Sequence, residues 1–385
     1  MIPYGRQDIR QSDIDAVIKV LKSEYLTQGP MVPLFEELIA AKVNSKYAVA
    51  ANSATSALHL ACLALDIGKN DIVWTSPISF VASANCVLYT GAKADFVDID
   101  PHTFNMCVTE LENKLKMSAQ IGRLPKAVIV VHMCGQSADM KKIFELSQEY
   151  KFKIIEDASH AIGASYGDKF VGSCEYSDIT VFSFHPVKII TTAEGGVATT
   201  NDHSLAEKMM LLRSHGVTRD GSRFVNSGCG EWYYEQHGLG FNYRMSDIQA
   251  ALGISQLERL EDVISIRNDI AKKYDCLLEH LPVVRPHIAL NRKSSWHLYI
   301  IKLIHKSDQN LRQGVFERMR ELGIGVNVHY IPIHLQPFYR KLGFKKGDFP
   351  KAEAYYNSAL TLPIYTKLTD ENQVHVVNSL SLALQ

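Results

Sequence analysis

Apolar positions along the chain follow two rhythms. Through the first 240 residues, short apolar runs alternate with longer stretches whose apolar positions recur every three or four residues. Short runs of that kind are strands buried on both faces; the longer stretches are helices. Strands are predicted at YAVAAN (47–52), DIVWTS (71–76), KADFVDID (93–100), AVIVVHM (127–133), FKIIEDAS (152–159) and DITVFSF (178–184). Helices are predicted at 13–23, TSALHLACLAL (55–65), FVASANCVLYTG (80–91) and ADMKKIFELSQEY (138–150). Alternation of this kind builds βαβ units and a mostly parallel sheet covered on both faces.

The rhythm changes at Ser246. From there to His280 the pattern is helical throughout, with Leu252, Ile254, Leu257 and Leu260 at helical spacing. Ser246 is a plausible N-cap and Pro282 a stop, so one long helical stretch is expected. Beyond it, WHLYIIKLI (296–304) and GVNVHY (325–330) are predicted strands, and 309–322, 351–360 and 369–384 predicted helices. Two units are expected: an N-terminal arm with a large α/β domain over 1–260, and a small C-terminal α+β domain over 261–385.

Charge narrows the function. Lys+Arg and Asp+Glu both number 41 in the 385 residues, and no basic run stands out. Nucleic acid is therefore not expected as the main partner, because phosphate neutralisation needs a basic face. No apolar run approaches the roughly 20 residues that cross a bilayer. The opening MIPYGRQDIRQSDIDAV shows no basic segment followed by an apolar one, so no secretory signal is expected. The seven cysteines (62, 86, 107, 134, 174, 229, 276) are scattered without a C-x-x-C pair. Buried free thiols in a reducing cytoplasm are the simplest reading, and a zinc site is not expected.

In open α/β sheets ligands bind at the carboxyl ends of the strands. Three stretches there carry chemistry. NSATSAL (52–58) opens a helix with Ser53, Thr55 and Ser56, which suits an anion seat or a plain N-cap. IIEDASHA (154–161) ends a strand with Glu156, Asp157 and His160; Asp157 is then either a salt-bridged structural acid, a metal ligand with His160, or a functional carboxylate. FSFHPVKIITTAEGG (182–196) sets one lysine, Lys188, in apolar company before a glycine turn. A phosphate seat, a carboxylate and a lysine are the contacts pyridoxal 5′-phosphate (PLP) asks for. A free lysine titrates near ~10.4; burial beside a cationic ring depresses that and frees the amine.

The chain resembles the PLP-dependent sugar aminotransferases of the DegT/StrS family, over nearly its full length. The stretches that carry the resemblance are LTQGP (26–30), NSATSALHLA (52–61), TSPISFVASAN (75–85), EDASHAIGA (156–164), FSFHPVKIITTAEGG (182–196), RSHG (213–216), LGFNYRMSDIQAALG (239–253), WHLY (296–299), VHYIPIHLQPFY (328–339) and LTLPIY (360–365). The resemblance implies an α/β fold of type I, with a mostly parallel seven-stranded sheet in the large domain. It implies that Lys188 forms a Schiff base with PLP and shuttles the proton, and that Asp157 pairs with the pyridinium. Phe80 stacks on the ring, or is an ordinary core phenylalanine. His160 lies near the ring hydroxyl. Ala54, Thr55 and Ser183 hold the phosphate, and Asn242 reaches it from a neighbouring subunit, which implies a homodimer. Ala54 departs from the Gly-Thr pair common in the family. Segment 218–238 matches least and receives no role.

Ping-pong transfer from L-glutamate to a nucleotide-linked keto sugar is implied. The stretches look most like those members that aminate C4 of a UDP-linked 2-acetamido-2,6-dideoxy-hexos-4-ulose for pseudaminic acid and hence surface polysaccharide. Thr27 and His329 are candidates for sugar or nucleotide contacts, or are structural polar residues. Alternatives are another UDP- or dTDP-4-keto-6-deoxy sugar, a dehydratase of the same family, a non-catalytic PLP-binding regulator, and a generic amino-acid transaminase. Lys188 speaks against the dehydratase, whose members carry histidine there.

Overall fold

The computed structural model describes residues 1–226, 230–304 and 311–385; Cys229 and the first residues of the helix expected at 309–322 lie outside them. Seven strands build the central sheet: β1 (Tyr47–Ala51), β2 (Ile72–Thr75), β3 (Lys93–Phe96), β4 (Ala127–Val131), β5 (Lys153–Asp157), β6 (Ile179–Ser183) and β7 (Gly196–Thr200). Their order is β1-β7-β6-β5-β4-β2-β3. Strands β2 to β6 pair in parallel. β7 runs antiparallel to both β1 and β6. Its sequence, GVATT, offers no apolar run and was not predicted; buried threonines supply the fit. Thr199 Oγ1 donates to the Gly172 carbonyl at 2.8 Å and Thr200 Oγ1 to the Asp178 carbonyl at 2.7 Å.

Helices cover both faces. α1 (Gln11–Leu21), α2 (Met31–Val43), α3 (Ala54–Ala64), α4 (Ala82–Tyr89), α5 (Val108–Gln120), α6 (Met140–Tyr150) and α7 (His203–Leu212) precede the change of rhythm. One core layer gathers Phe35, Ile39, Phe182, Phe184 and Val263; another gathers Val49, Leu58, Leu60, Ile129, Val181 and Met209. Val181 and Phe182 enter opposite layers because successive strand side chains alternate. α2, α5 and α7 were not predicted, and β3 stops at Phe96 rather than continuing to residue 100.

The stretch from Ser246 is two helices, α8 (Asp247–Leu257) and α9 (Leu260–Leu277). Arg259, at φ −110° and ψ 18°, breaks the path. Its guanidinium is pulled onto Asp13, donating to Oδ2 at 2.6 Å and to Oδ1 at 3.0 Å. Past α9, β8 (Tyr299–Leu303) pairs antiparallel with Val283–Val284 and with β9 (Ala359–Leu362). α10 (Leu311–Glu321), α11 (Pro337–Lys341), α12 (Pro350–Ser358) and α13 (Asp370–Ala383) complete this part. Its core holds Ile270, Tyr274, Tyr299, Met319, Ile324 and Leu380. Two predictions fail here. GVNVHY forms no strand: it makes one isolated bridge, Asn327↔Thr361, and the residue before it makes another, Ile2↔Ile324. The helix expected at 351–360 ends at Ser358, since Ala359 and Leu360 enter β9.

Among the described residues, Cys62, Cys86, Cys134 and Cys174 are buried free thiols, and Cys276 is exposed. No described helix is long and apolar enough to cross a membrane.

Asp13 is fully buried and also accepts from Ser255 Oγ at 2.7 Å and Gln256 Nε2 at 2.9 Å. Removing one partner of a buried ion pair strands the other charge, at a cost of about 3–5 kcal/mol. Asp13→Ala is therefore expected to lower the urea midpoint by an equivalent of about 3 kcal/mol. An unchanged midpoint in equilibrium unfolding would show that the α1–α8 clamp carries no stability.

Candidate active site

β6 delivers the lysine. After Ser183 and Phe184 the chain leaves the sheet, and β7 brings it straight back. Phe184 N–H donates to the Gly195 carbonyl at 2.9 Å, and Thr192 N–H returns to the Phe184 carbonyl at 3.0 Å. Thr191 Oγ1 also donates to that carbonyl, at 2.9 Å. The loop between is thus pinned at its base, with Ile189 and Ile190 buried below it. Lys188 projects into a cavity of about 590 Å³. Desolvation lowers its pKa to about 8, against the opposing pull of the Asp157 carboxylate.

Adjacent β5 settles which carboxylate faces that cavity. Glu156 points away and is fully engaged: His132 Nε2 lies 2.6 Å from Oε2, and Ser177 Oγ and Thr180 Oγ1 donate to Oε1 at 2.5 and 2.8 Å. It is a structural acid. Asp157 lines the cavity with Lys188. Ser83 Oγ donates to its Oδ2 at 2.6 Å; Ser159 donates to Oδ1 through N–H at 3.1 Å and Oγ at 2.5 Å. No cationic side chain takes it up in these bonds, and both oxygens are oriented by neutral donors. His160 also lines the cavity, its Nε2 3.1 Å from the Tyr330 hydroxyl. Burial, then the charge of Lys188, pushes its pKa well below the ordinary value, so the imidazole is neutral.

The anion seat is the first turn of α3. Ser53 is its N-cap, with Oγ accepting from Ser56 N–H at 3.1 Å. Ser56 turns inward instead, donating to Asn52 Oδ1 at 2.7 Å. Ala54 and Thr55 occupy the positions whose amides have no intrahelical partner, and both line the cavity with Ser183. The Ala54 methyl does not disturb this turn. The close approach is on the other side, where a Cβ at Gly196 would meet Ala54 N and Cα at 2.5 Å. β7 must begin with glycine for the turn to lie against it.

Lys188, Asp157, His160, Ala54, Thr55, Ser183, Phe80 and His329 thus share one cavity. Phe80 is 59 % exposed, which rules out the core alternative. Thr27 and Asn242 do not line it. Thr27 forms a bridge with Ser246, and Asn242 with Ser214, while the Asn242 carbonyl accepts from Asn52 Nδ2 at 3.3 Å. Sequence reasoning missed Ser83 and Ser159, which orient Asp157, and His297 and Tyr330, which complete the wall. All four lie inside or beside stretches already singled out, but only the fold shows which way each side chain turns.

PLP fits this chemistry. A helix N-terminus with open amides suits its phosphate, an oriented carboxylate its ring nitrogen, an exposed aromatic its face, and a lysine of lowered pKa its aldehyde. Fold and site together define a PLP-dependent transferase of fold type I. The chain belongs to the DegT/DnrJ/EryC1/StrS aminotransferase family, whose profile matches residues 7–381. It is 40 % identical over 389 residues to a UDP-4-amino-4,6-dideoxy-N-acetyl-beta-L-altrosamine transaminase of Campylobacter jejuni, covering 100 % of this chain and 98 % of that one. Among solved structures it superposes on Helicobacter pylori PseC, an aminotransferase of pseudaminic acid biosynthesis, with a TM-score of 0.90, 33 % identity and coverage of 100 % and 99 %. Spr1654 of Streptococcus pneumoniae in its pyridoxamine-phosphate form gives 0.91, 30 % identity, and coverage of 100 % and 99 %; a PLP form is also solved. The protein is a PLP-dependent nucleotide-sugar aminotransferase.

Only the uncharged amine attacks an aldehyde, and a pKa of about 8 makes Lys188 that amine on the alkaline side. The rate at which stripped protein regains its visible absorbance with added PLP is expected to rise with pH, with a midpoint near 8 rather than above 10. Lys188→Ala should show no such band at any pH. A band that persists in this variant would assign the bond to another lysine.

Proposed function

We propose that this enzyme moves an amino group from L-glutamate to the C4 keto group of UDP-2-acetamido-2,6-dideoxy-β-L-arabino-hexos-4-ulose, giving UDP-4-amino-4,6-dideoxy-N-acetyl-β-L-altrosamine, in the cytoplasm. The observation that carries this reading is the single cavity in which Lys188, Asp157 and the open turn of α3 converge. The activity for which the Campylobacter relative is named supports the choice of sugar.

Bound PLP supplies an electron sink that acidifies the C–H bond next to the transferred nitrogen. The chain's own groups do the rest. Lys188 takes the proton from the substrate carbon and returns it at the cofactor's C4′, a general base and acid whose pKa of about 8 lies near working pH. Asp157, held by Ser83 and Ser159, keeps a proton on the ring nitrogen. The amides of Ala54 and Thr55 and the Ser183 hydroxyl bind phosphate, and Phe80 stacks on the ring. His160 lies by the ring hydroxyl. Thr27 and His329 contact sugar or nucleotide. Asn242 serves the site of a second copy, which is why it lies off this chain's cavity; the working unit is a homodimer with shared sites.

Glutamate-dependent amination of a panel of UDP-, dTDP- and GDP-linked 4-keto sugars, with NMR of the product, tests the substrate. Amination at C4 of the UDP-linked acetamido sugar in preference to the others is expected; preference for a dTDP or GDP sugar would sink the assignment. Asp157→Asn is expected to keep cofactor yet lose on the order of 10²–10³ in kcat. Near-parental turnover would refute the ring-nitrogen role. Inactive Lys188→Ala and Asn242→Ala subunits, mixed and reassorted, should regain about a quarter of parental activity, since one site in each mixed dimer is intact. No recovery would place Asn242 outside the site.

A further inference from the structure

Tyr330 belongs to none of the roles assigned above, yet it stands in the wall of the same cavity. Its ring lies 6.4 Å from that of Phe80 and 6.1 Å from that of His160, nearly parallel to the latter. The segment that carries it, 325–330, is the one that fails to become a strand. Tyr355 donates from its hydroxyl to the His329 carbonyl at 2.5 Å, and His329 Nδ1 lies 2.8 Å from Thr361 Oγ1. Those bonds hold the segment against α12 and β9 and aim Tyr330 at the large-domain wall.

The 3.1 Å pair between His160 Nε2 and the Tyr330 hydroxyl has two possible directions. His160 is neutral, so one ring nitrogen carries hydrogen and the other a lone pair. Its Nδ1 is buried without a hydrogen-bond partner among the described residues. If Tyr330 donates to Nε2, the Nδ1–H is a stranded donor, at a cost of roughly 1–3 kcal/mol. If Nε2–H donates to Tyr330, Nδ1 holds only an unshared lone pair, and orphaned buried acceptors are better tolerated than orphaned N–H groups. The second arrangement prevails. His160 then occupies an acceptor site on the Tyr330 oxygen, and the phenolic proton is left free to point into the cavity. Burial and the nearby charge of Asp157 hold the phenol protonated.

We propose that Tyr330 is a further catalytic residue, a neutral O–H donor to the carbonyl oxygen of the substrate, with His160 as the residue that orients it. The inference rests on the aminotransferase reading above. When nitrogen adds to the keto carbon, its lone pair forms the C–N bond and the C=O π pair moves onto oxygen. Tyr330 donates a hydrogen bond to that developing oxyanion and keeps its own proton. Lys188 carries the protons shed by the nitrogen to that oxygen, which leaves as water. The same donor serves the reverse addition that releases the oxo acid of the amino donor, but not removal of the donor's α-proton.

Two measurements on the PLP-loaded enzyme decide it. Long-range ¹⁵N–¹H spectra of protein labelled in histidine, assigned with His160→Gln, should show His160 as the Nε2–H tautomer; the Nδ1–H tautomer overturns the proposal. In Tyr330→Phe, exchange of the glutamate α-proton into D₂O should stay within about threefold of the parent, while net amination falls on the order of 10²-fold, the usual loss for one oxyanion donor. Equal loss of both would mark a merely structural tyrosine, and parental amination would mean no role. If the parent itself fails to exchange glutamate or to aminate the sugar, the functional reading falls, and the tautomer still decides how Tyr330 is arranged.

Discussion

An amine cannot sit in apolar surroundings as a stable cation without some loss, and the architecture around Lys188 is organised to impose that loss. The lysine stands on a loop pinned at both ends by backbone bonds at Phe184, Thr192 and Gly195. The Asp157 carboxylate opposes the desolvation, and the balance settles near pKa 8. The antiparallel insertion of β7 follows from this need. A right-handed crossover after β6 would have carried the chain away across one face of the sheet. The immediate return along β6 keeps the loop short, tethered and at the rim.

The second constraint is a partition of carboxylates by strand parity. Glu156 and Asp157 are neighbours in sequence and face opposite sides of β5. One is consumed by His132, Ser177 and Thr180; the other receives serine hydroxyls and an amide. The difference in partners is the difference in function. Glu156, closed in by donors that leave no face open, locks β5 to β4 and β6. Asp157 is oriented yet left available on the side where Lys188 waits. A slip of one residue in the register Val131↔Asp157↔Val181 would exchange the two acids and leave the cavity without its carboxylate.

Buried parallel strands were legible because continuous apolar runs bounded by turns have few other uses, and six of the seven appear within a few residues of their ends. β7 was not legible. Its threonines are polar in sequence, and their burial is possible only because their hydroxyls find carbonyls across the sheet. The break between α8 and α9 was hidden for a related reason: Arg259 leaves the helical path to reach Asp13, some 246 residues away in sequence. GVNVHY alternates like a strand, but it finds only one bridge, from Asn327 to Thr361, with a second from Ile324 just before it to Ile2. Lys188, Asp157 and the α3 turn were legible because the chemistry of one cofactor demands all three together. Ser83, Ser159 and Tyr330 were not, since a hydroxyl's role depends on where its neighbours fall in space.

What remains is the electrostatic character of the wall opposite Asp157. His160, His297 and His329 are buried there, and each is pushed below the ordinary imidazole value, first by burial, with the Lys188 charge adding to it. For His329 the value reaches about 3. A group whose pKa is depressed in this way stays neutral from mildly acidic pH upward, so none of the three changes charge where the enzyme works. Lys188 does, near 8. Three groups that ordinarily titrate near neutrality have been silenced, and one that ordinarily does not has been brought into range. The histidines therefore act as fixed dipoles in the wall, while the change of charge near working pH is left to the lysine.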